Sequence, residues 1–155
     1  MSAKTFIHSY RVGYAECTVG NHIYYSRYLD ILERARGEFF RHLGCTFDQW
    51  QQADAIFPVV EARLRYLGAA HYEDLLSVEL WVSEMGRVRL SFGSRIAGPD
   101  GRTLVEVTTE HACTTLLNKP RRLPKELVAS LAPYLHPGVQ SVSEKSWKSN
   151  GLRVD

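Results

Sequence analysis

The sequence predicts an α+β fold in which a curved antiparallel sheet of about five strands wraps one long central helix. Two patterns predict it. One stretch of about 20 residues has apolar side chains every three or four positions, and five other stretches alternate apolar and polar residues. One of the alternating stretches precedes the helix, and four follow it with short connections that favour antiparallel pairing. A helix stripe and a sheet face must bury each other, because neither is stable alone.

The first strand and the helix are read from residues 6–44. Apolar and aromatic residues alternate with others from Phe6 to Tyr14, and a link without alternation follows over residues 16–22. The period then changes, and residues 24–43 predict a helix of about five turns that stops at Gly44. Its apolar stripe is Tyr25, Tyr28, Leu32, Ala35, Phe39 and Leu43.

The rest of the chain predicts four strands and a short closing helix. A link rich in Gln and Asp covers residues 48–54, and the strands are expected at 60–66, 76–82, 88–96 and 105–113. Residues 98–101, Gly-Pro-Asp-Gly, are a strong turn signal between the last two strands. Residues 123–135 predict the closing helix. The domain is therefore expected over residues 1–136, with a polar, loosely ordered tail over 137–155. Pairing with a second copy would cover the sheet edges.

Composition narrows the class of protein. The chain has 155 residues, 45% of them hydrophobic and 23% charged, which suits one soluble domain. A formal net charge of +2 is too small to indicate nucleic acid as the main partner. No segment approaches the roughly 20 apolar residues of a membrane span, and the first residues lack the apolar core of a signal peptide. Three cysteines without a CxxC spacing argue against a disulfide framework or a zinc site, so a cytoplasmic location is expected.

Residues 14–44 carry a resemblance to a known family. They read YAECTVGNHIYYSRYLDILERARGEFFRHLG, in which Tyr28, Glu33, Ala35 and Arg36 match a Y-x-x-x-x-E-x-A-R motif. This segment resembles the hotdog-fold 4-hydroxybenzoyl-CoA thioesterase family with its YbgC-type acyl-CoA hydrolases, and the likeness continues over most of the chain. The resemblance implies a hotdog fold and hydrolysis of an acyl thioester. It also implies that a backbone amide near Tyr25 binds the thioester oxygen.

One position departs from that family. Its D-x-D segment normally supplies the catalytic carboxylate as the second acid, and Thr18 stands there, while Glu16 stands at the first. Similar enediyne and polyketide thioesterases have Asn at that place and a V-G-N loop, which this chain carries as residues 19–21. Thr18 has no accessible anion without an adjacent base, so we expect it to hydrogen-bond water or the carbonyl, or to serve only as a cap or a loop hydroxyl.

The remaining candidates have both functional and structural interpretations. The expected catalytic set is Thr18, Tyr25, Asn21 and Glu61, and the expected substrate-binding set is His22, Tyr24, Glu16 and Arg36. Asn21 and His22 could contact the acyl group or cap a loop. Glu61 could be an exposed strand residue paired with Arg36 or Arg63. An ion pair with Glu33 is an alternative for Arg36, and a core role is the alternative for His111.

The sequence therefore predicts a cofactor-free thioesterase that binds no metal. Its expected substrate is a coenzyme A thioester or an acyl carrier protein thioester, and its expected assembly is a homodimer that pairs further into a homotetramer, with no nucleic acid or membrane partner. Five basic residues could bind coenzyme A phosphates or an acidic carrier, or simply be solvated: Arg87, Arg89, Lys119, Arg121 and Arg122. The alternative is a catalytically silent acyl-thioester-binding module, which the Thr18 replacement motivates.

Overall fold

The computed structural model describes residues 2–136, which form one antiparallel sheet with a long helix across its inner face. The strand order is β1-β3-β4-β5-β2, so β1 and β2 are the two edges. The helices are α1 (Arg27–His42), α2 (Phe47–Gln52) and α3 (Lys125–Leu131). The strands are β1 (Phe6–Arg11), β2 (Val59–Tyr66), β3 (Leu75–Met85), β4 (Arg89–Ala97) and β5 (Thr103–Ala112). The predicted five-stranded fold is confirmed.

Helix α1 buries the apolar stripe that its spacing predicts. Its fully buried side chains recur at three- and four-residue intervals: Tyr28, Ile31, Leu32, Ala35, Phe39 and Phe40. The helix is shorter than expected, because it begins at Arg27 instead of residue 24. Tyr24 and Tyr25 form a turn before it, in which the Arg27 N–H donates to the Tyr24 carbonyl over 2.9 Å. Gly44 has a φ of +89°, which suits its predicted role as the stop.

Ring contacts give the direction of α1 across the sheet. At its beginning, Tyr28 meets Tyr66 at the C-terminal end of β2, with ring centroids 5.8 Å apart. Near its end, Phe39 stacks on Phe6 at the start of β1 with centroids 5.0 Å apart. The helix therefore crosses the sheet from one edge strand to the other. Strand β2 runs beside it in the opposite direction, since Val59 at the start of β2 lines the same cavity as Arg36 and Phe40 of the helix.

The alternation of the central strands is confirmed. Along β3 and β5 every second side chain is buried against the helix side: Leu76, Val78, Leu80, Val82, Val105, Val107, Thr109 and His111. The opposite, outer face carries charge pairs between neighbouring strands. Arg95 pairs with Glu79 over 2.8 Å, and Arg89 pairs with Glu110. The inner face of the sheet thus belongs to the core. The outer face carries these charge pairs, but along β4 it is also buried, where Trp81 covers Gly93.

Strand β2 is the exception to this burial. Its side chains are exposed or half-buried throughout, with Val59 51% and Val60 52% exposed, although the alternation predicted a buried face. The reason is its position, because β2 pairs only with β5 and its other side is an open edge. Among residues 2–136, no strand pairs with that edge.

The segments outside the five strands and α1 include two short helices. The link expected over residues 48–54 is mostly helix α2, which begins with a capping box in which the Thr46 N–H donates to the Gln49 side chain over 2.8 Å. The closing helix is confirmed as α3, followed by a 3-10 turn. The expected tail lies outside the described residues. Within the described part of the chain, no helix has the length and apolar character needed to cross a membrane.

Candidate active site

A small hairpin precedes α1 and holds three of the predicted site residues. Cys17 and Ile23 pair as an isolated bridge, and the Thr18 N–H donates to the His22 carbonyl over 2.9 Å. The Asn21 N–H closes the tip by donating to the Thr18 carbonyl over 3.1 Å. Gly20, at the third position of this turn, has a φ of +86°, which a side chain would strain. Thr18, Asn21 and His22 therefore come together, as expected.

The hairpin is docked on the segment before β3. The Ile23 N–H donates to the Ala70 carbonyl over 2.9 Å, and the Tyr72 N–H donates to the Asn21 carbonyl over 3.4 Å. Asn21 itself has a φ of +61°, a conformation that Asn tolerates better than most residues. The V-G-N sequence is thus explained by backbone geometry, since two successive residues have positive φ. The Thr18 side chain remains exposed at the hairpin surface.

The helix entrance, residues 24–27, offers free backbone donors. Among residues 2–136, no protein acceptor pairs with the N–H of Tyr25 or of Ser26. Both groups lie in the turn that leads into α1, where the N–H groups of the first turn have no partner within the helix. The partial positive charge of the helix N-terminus adds to their field. This entrance can bind an oxyanion.

Tyrosine side chains surround the helix entrance. Tyr24 and Tyr25 are 45% and 60% exposed, with ring centroids 4.6 Å apart, and Tyr66 meets Tyr25 edge-on at 6.4 Å. The prediction that Tyr25 belongs to the buried stripe is therefore wrong, because it precedes the helix. The Tyr66 hydroxyl donates to the Tyr25 carbonyl over 2.9 Å. Tyr28 is buried, and its hydroxyl accepts the Ala70 N–H over 3.0 Å.

Glu16 is close to the entrance in the chain but is occupied by local contacts. One carboxylate oxygen accepts the Gly13 N–H over 2.8 Å, and the other accepts the Tyr10 hydroxyl. Burial and this hydrogen bond raise the pKa of Tyr10. The Glu16 carbonyl in turn accepts the Tyr24 N–H over 3.1 Å. Glu16 therefore fixes the approach to the hairpin and the entrance.

Glu61 lies apart from the hairpin. It is in β2 opposite Glu110, on the outer face of the sheet, and its exposed carboxylate pairs with Arg63. Ala62, the next residue, faces inward opposite Thr109. Within one chain, Glu61 is therefore separated from the helix entrance by the sheet and by several residues of strand. The surroundings of Glu61 are therefore those of an exposed strand residue that forms an ion pair with Arg63.

Arg36 lies in a pocket of about 170 Å³ between α1, α2 and the sheet, here called the Arg36 pocket. Arg36 is 3% exposed, and its guanidinium carbon lies 5.5 Å from the ring centre of Phe92. Arg36 donates to the half-exposed Glu33 over 2.5 Å, and burial lowers its pKa while Glu33 acts in the opposite direction. Four aromatic walls and one aliphatic rim residue complete the pocket: Phe40, Phe47, Phe57, Phe92 and Val59.

A directed hydrogen-bond chain runs from Arg36 to His111. Arg36 Nη2 donates to Thr109 Oγ1 over 3.3 Å, and that hydroxyl lies 3.0 Å from His111 Nε2. His111 Nδ1 lies 3.0 Å from the Phe57 carbonyl, which can only accept, so Nδ1 carries the proton and Nε2 accepts from Thr109. Burial and the nearby Arg36 lower the pKa of His111 to about 4. His111 is a neutral core histidine.

The predicted residues thus fall into three places. The hairpin and entrance hold Thr18, Asn21, His22, Tyr24 and Tyr25, with Glu16 beside them, whereas Arg36 and Glu61 are elsewhere. Sequence reasoning missed Tyr66, Thr109 and its link to His111. The alternation of β2 and β5 placed them on inward faces, but the helix position that brings them to Tyr25 and Arg36 could not be read from spacing.

Comparison with known proteins agrees with this fold. Residues 12–131 match the model of the thioesterase-like superfamily. The chain is 34% identical to an acyl-CoA thioesterase YbgC of Haemophilus influenzae over 122 residues, which cover 77% of this chain and 89% of the relative. It is 29% identical to the acyl-CoA thioester hydrolase YbgC of Escherichia coli over 130 residues, which cover 83% and 97%.

A solved structure supports the same architecture. The 1,4-dihydroxy-2-naphthoyl-CoA thioesterase of Synechocystis superposes with a TM-score of 0.78 over 83% of this chain and 96% of its own, at 20% identity. At 20% identity, this similarity is evidence for the fold alone. A long helix across the inner face of one antiparallel sheet is the hotdog fold. The chain belongs to the thioesterase-like superfamily and is a YbgC-like member of it.

Proposed function

We propose that this protein hydrolyses acyl-CoA thioesters with the substrate carbonyl oxygen held by the N–H groups of Tyr25 and Ser26. The observation that carries the proposal is the pair of unpaired amides at the entrance of α1. Water attacks the carbonyl carbon, a C–O bond forms, and the C–S bond breaks. The proton that water loses passes to the leaving sulfur, so the products are a carboxylic acid and free coenzyme A.

The two N–H groups would stabilise the negative charge that develops on the carbonyl oxygen when water attacks. In other enzymes, loss of one preorganised oxyanion donor lowers kcat by about 100- to 1,000-fold. The exposed aromatic rings of Tyr24 and Tyr25 lie beside the same point, where an acyl group can contact them. The proposed reaction uses water, amides and hydroxyls, and it requires no cofactor or metal.

Thr18 and the side chains beside it are proposed to hold the attacking water. Thr18 and Asn21 can each accept or donate a hydrogen bond without changing charge, and His22 follows them in the same hairpin. A hydroxyl orients water but is a poor base, so we expect slower turnover than a carboxylate would give. Glu61 has no part in this proposal, since its surroundings in the chain are those of a surface ion pair.

The carrier of the acyl group is proposed to be anionic. Basic side chains line a surface groove of about 490 Å³ at the β3–β4 turn and the start of α3: Arg87, Arg121, Arg122 and Lys125. These cations suit the phosphates of coenzyme A, and an acidic carrier protein is the second source of the same charge. The cysteines Cys17, Cys45 and Cys113 are all unpaired, which fits a reducing, cytoplasmic environment.

A homodimer is proposed to form through the open edge of β2. An unpaired edge strand exposes backbone donors and acceptors, and apolar side chains accompany them here: Val59, Val60, Tyr66 and Leu67. An antiparallel strand from a second copy would pair with the backbone groups and cover the apolar side chains. The charged outer face of the sheet is less suited to a second apolar interface, so light scattering on the purified protein should give twice the mass of one chain. A mass of four chains would indicate that the outer face of the sheet also forms an interface between copies.

The experiment is a thiol-release assay. Purified protein is mixed with acyl-CoA thioesters of different acyl chemistry, and with acyl carrier protein loaded with the same groups, and free thiol is followed with a chromogenic disulfide. Release that depends on enzyme concentration supports hydrolysis, and the relative rates identify the carrier. Absence of release from every substrate would reject the proposal.

A silent acyl-thioester-binding module is the second candidate. The exposed Thr18 hydroxyl, at the place of the expected carboxylate, favours it. In that case the unmodified chain binds a non-hydrolysable thioether analogue of acyl-CoA in calorimetry but releases no thiol. Turnover by the unmodified chain eliminates this candidate.

A further inference from the structure

The inward face of β2 runs from the helix entrance, where Tyr66 contacts Tyr25, to the Arg36 pocket, where Val59 lies on the rim. Tyr66, Leu64 and Ala62 share the inward face of β2, and Ala62 is exposed there although it faces the helix side. Arg36 lies nine residues after Arg27, which at the rise of an α-helix is about 14 Å along the axis. A chain that starts at the entrance and follows this strip reaches the pocket.

The pocket has a donor and an acceptor that its internal contacts leave available. His111 uses both ring nitrogens, and Thr109 uses its hydroxyl between Arg36 and His111. Arg36 has five N–H groups, and its Nε has no hydrogen-bond partner within residues 2–136. The half-exposed carboxylate of Glu33 is an acceptor only. A ligand hydroxyl can accept from Arg36 and donate to Glu33 at once.

We propose that the Arg36 pocket receives the hydroxylated end of an unbranched acyl chain of about ten carbons, whose thioester lies at the helix entrance. The inference rests on the proposed function and adds the substrate class. The aromatic walls exclude water from the last methylene groups, and the Arg36–Glu33 pair recognises the hydroxyl. Thr109 and His111 are positioning residues that hold the guanidinium in place.

The length of the strip decides between short and long acyl groups. C–C bonds of about 1.5 Å advance roughly 1.3 Å each along an extended chain, so ten bonds cover about 13 Å. A hydroxylated aromatic ring attached directly to the thioester spans roughly half that distance by the same bond lengths. Such a group would leave the pocket empty.

The charge of the pocket decides against a terminal carboxylate. Arg36 is already compensated by Glu33 at 2.5 Å, so a second anion would meet the Glu33 carboxylate as well as the guanidinium. A buried charge without its own partner is unfavourable. An uncharged hydroxyl uses the same two groups and adds no charge.

The test compares three substrates on the full chain: decanoyl-CoA, 10-hydroxydecanoyl-CoA and 9-carboxynonanoyl-CoA. We expect kcat/KM for the hydroxylated chain to exceed that for decanoyl-CoA about tenfold or more, because a hydrogen bond to a charged group is involved. The carboxylated chain should be the poorest. In Arg36→Met the hydroxyl preference should fall below about threefold. The exposed Arg41→Met, on the same helix, is the matched control and should keep the full preference.

Glu33→Gln gives an independent readout that does not require removal of the buried cation. It leaves Arg36 uncompensated, so kcat/KM for the carboxylated chain relative to decanoyl-CoA should rise about tenfold. A merely structural Arg36 would not produce this gain. Equal kcat/KM for decanoyl and hydroxydecanoyl substrates in the parent, or an unmoved carboxylate ratio in Glu33→Gln, overturns the proposal.

The proposed function can fail separately. If the parent releases thiol from none of the three substrates, hydrolysis is rejected, and the pocket is tested with the corresponding S-alkyl coenzyme A thioethers by calorimetry. Binding of the hydroxylated thioether about tenfold tighter than the plain one, lost in Arg36→Met, would uphold the pocket. Equal affinities would overturn it.

Discussion

The hydroxyl of Tyr66 donates a hydrogen bond to the backbone carbonyl of Tyr25 over 2.9 Å. That carbonyl belongs to the same planar peptide group as the N–H of Ser26, one of the two unpaired donors at the helix entrance. A bond that fixes the carbonyl therefore fixes the direction of the N–H on the opposite side of the plane. It also polarises the peptide group and makes its N–H a better donor. Tyr66, the last residue of an edge strand, therefore positions the proposed oxyanion site.

Tyr66→Phe should lower kcat about three- to tenfold with little change in KM, because the variant loosens a donor used in the transition state. Steady-state thiol release gives both constants. Tyr72→Phe, on the loop beside the hairpin, is the control and should leave kcat unchanged. A Tyr66→Phe enzyme with parental kcat would remove the positioning role. Equal losses in both variants would point to a general effect on the loops.

His111 should make stability depend on pH in one defined window. Its pKa is about 4 in the folded chain and 6.5 ordinarily, so between these values the unfolded chain binds the additional proton. The contribution of neutral His111 is complete above pH 6.5 and is lost as pH falls towards 4. The free energy of unfolding should decrease by up to about 3 kcal/mol across this range.

Urea unfolding at several pH values measures this dependence, with His111→Gln as the comparison. The glutamine cannot titrate, and its amide can still donate to the Phe57 carbonyl. The variant is expected to be less stable near pH 7, with a shallower pH dependence between 4 and 6.5. Parallel curves for parent and variant would show that His111 does not carry the effect.

The sequence predicted this fold well because period and burial follow directly from each other. The spacing of Tyr28, Leu32, Ala35 and Phe39 is dictated by one buried helix face, and the alternation of β3 and β5 by one buried sheet face. The start of α1 was less predictable. Tyr24 and Tyr25 fit the helical spacing, but tertiary hydrogen bonds from Tyr66 and to Glu16 hold them in a turn.

Only the part of the candidate site formed by residues close together in the sequence could be predicted. Thr18, Asn21 and His22 are neighbours in sequence, so a short hairpin brings them together. Arg36 and His111 are 75 residues apart and meet through Thr109, and such a contact depends on how the helix lies on the sheet. Pairing with a second copy stays a prediction; the exposed apolar side chains of β2 are the surface that such a copy would cover.

Asn21 allows backbone and side-chain roles to be separated. Its φ of +61° makes Asn21→Ala strained, with an expected loss of about 1 kcal/mol in unfolding free energy, whereas Asn21→Gly keeps the conformation accessible. If the side-chain amide of Asn21 holds the attacking water, both variants lose kcat about equally, while only Asn21→Ala loses stability. Thermal unfolding and thiol release decide this. Parental kcat in Asn21→Gly would restrict Asn21 to a conformational role.

Gly93 is required by the tryptophan that covers it on the outer face of the sheet. A Cβ at Gly93 would lie 2.4 Å from the indole of Trp81, so Gly93→Ala should destabilise the fold by about 1–3 kcal/mol through overpacking. In a Trp81→Leu background the same change should be neutral or stabilising, because alanine is better than glycine within a strand. A double-mutant cycle in urea measures the coupling. Additive effects would contradict the steric explanation.

Thr18→Asp tests the chemistry at the position that departs from the family pattern. A carboxylate there could act as general base, and such bases contribute about 100- to 10,000-fold when well placed. Because Thr18 is exposed at the hairpin surface and its neighbours are not adapted to an acid, we expect a smaller gain in kcat/KM, about tenfold. The pH–rate profile of Thr18→Asp should acquire an acidic limb. The matched control is Thr18→Asn, whose side chain has the shape of aspartate without its charge, and its profile should lack that limb. Activity found only in Thr18→Asp, with a parent that binds acyl-CoA thioethers, would establish the silent module. A rate unchanged by the aspartate would instead show that the hairpin position does not reach the attacking water.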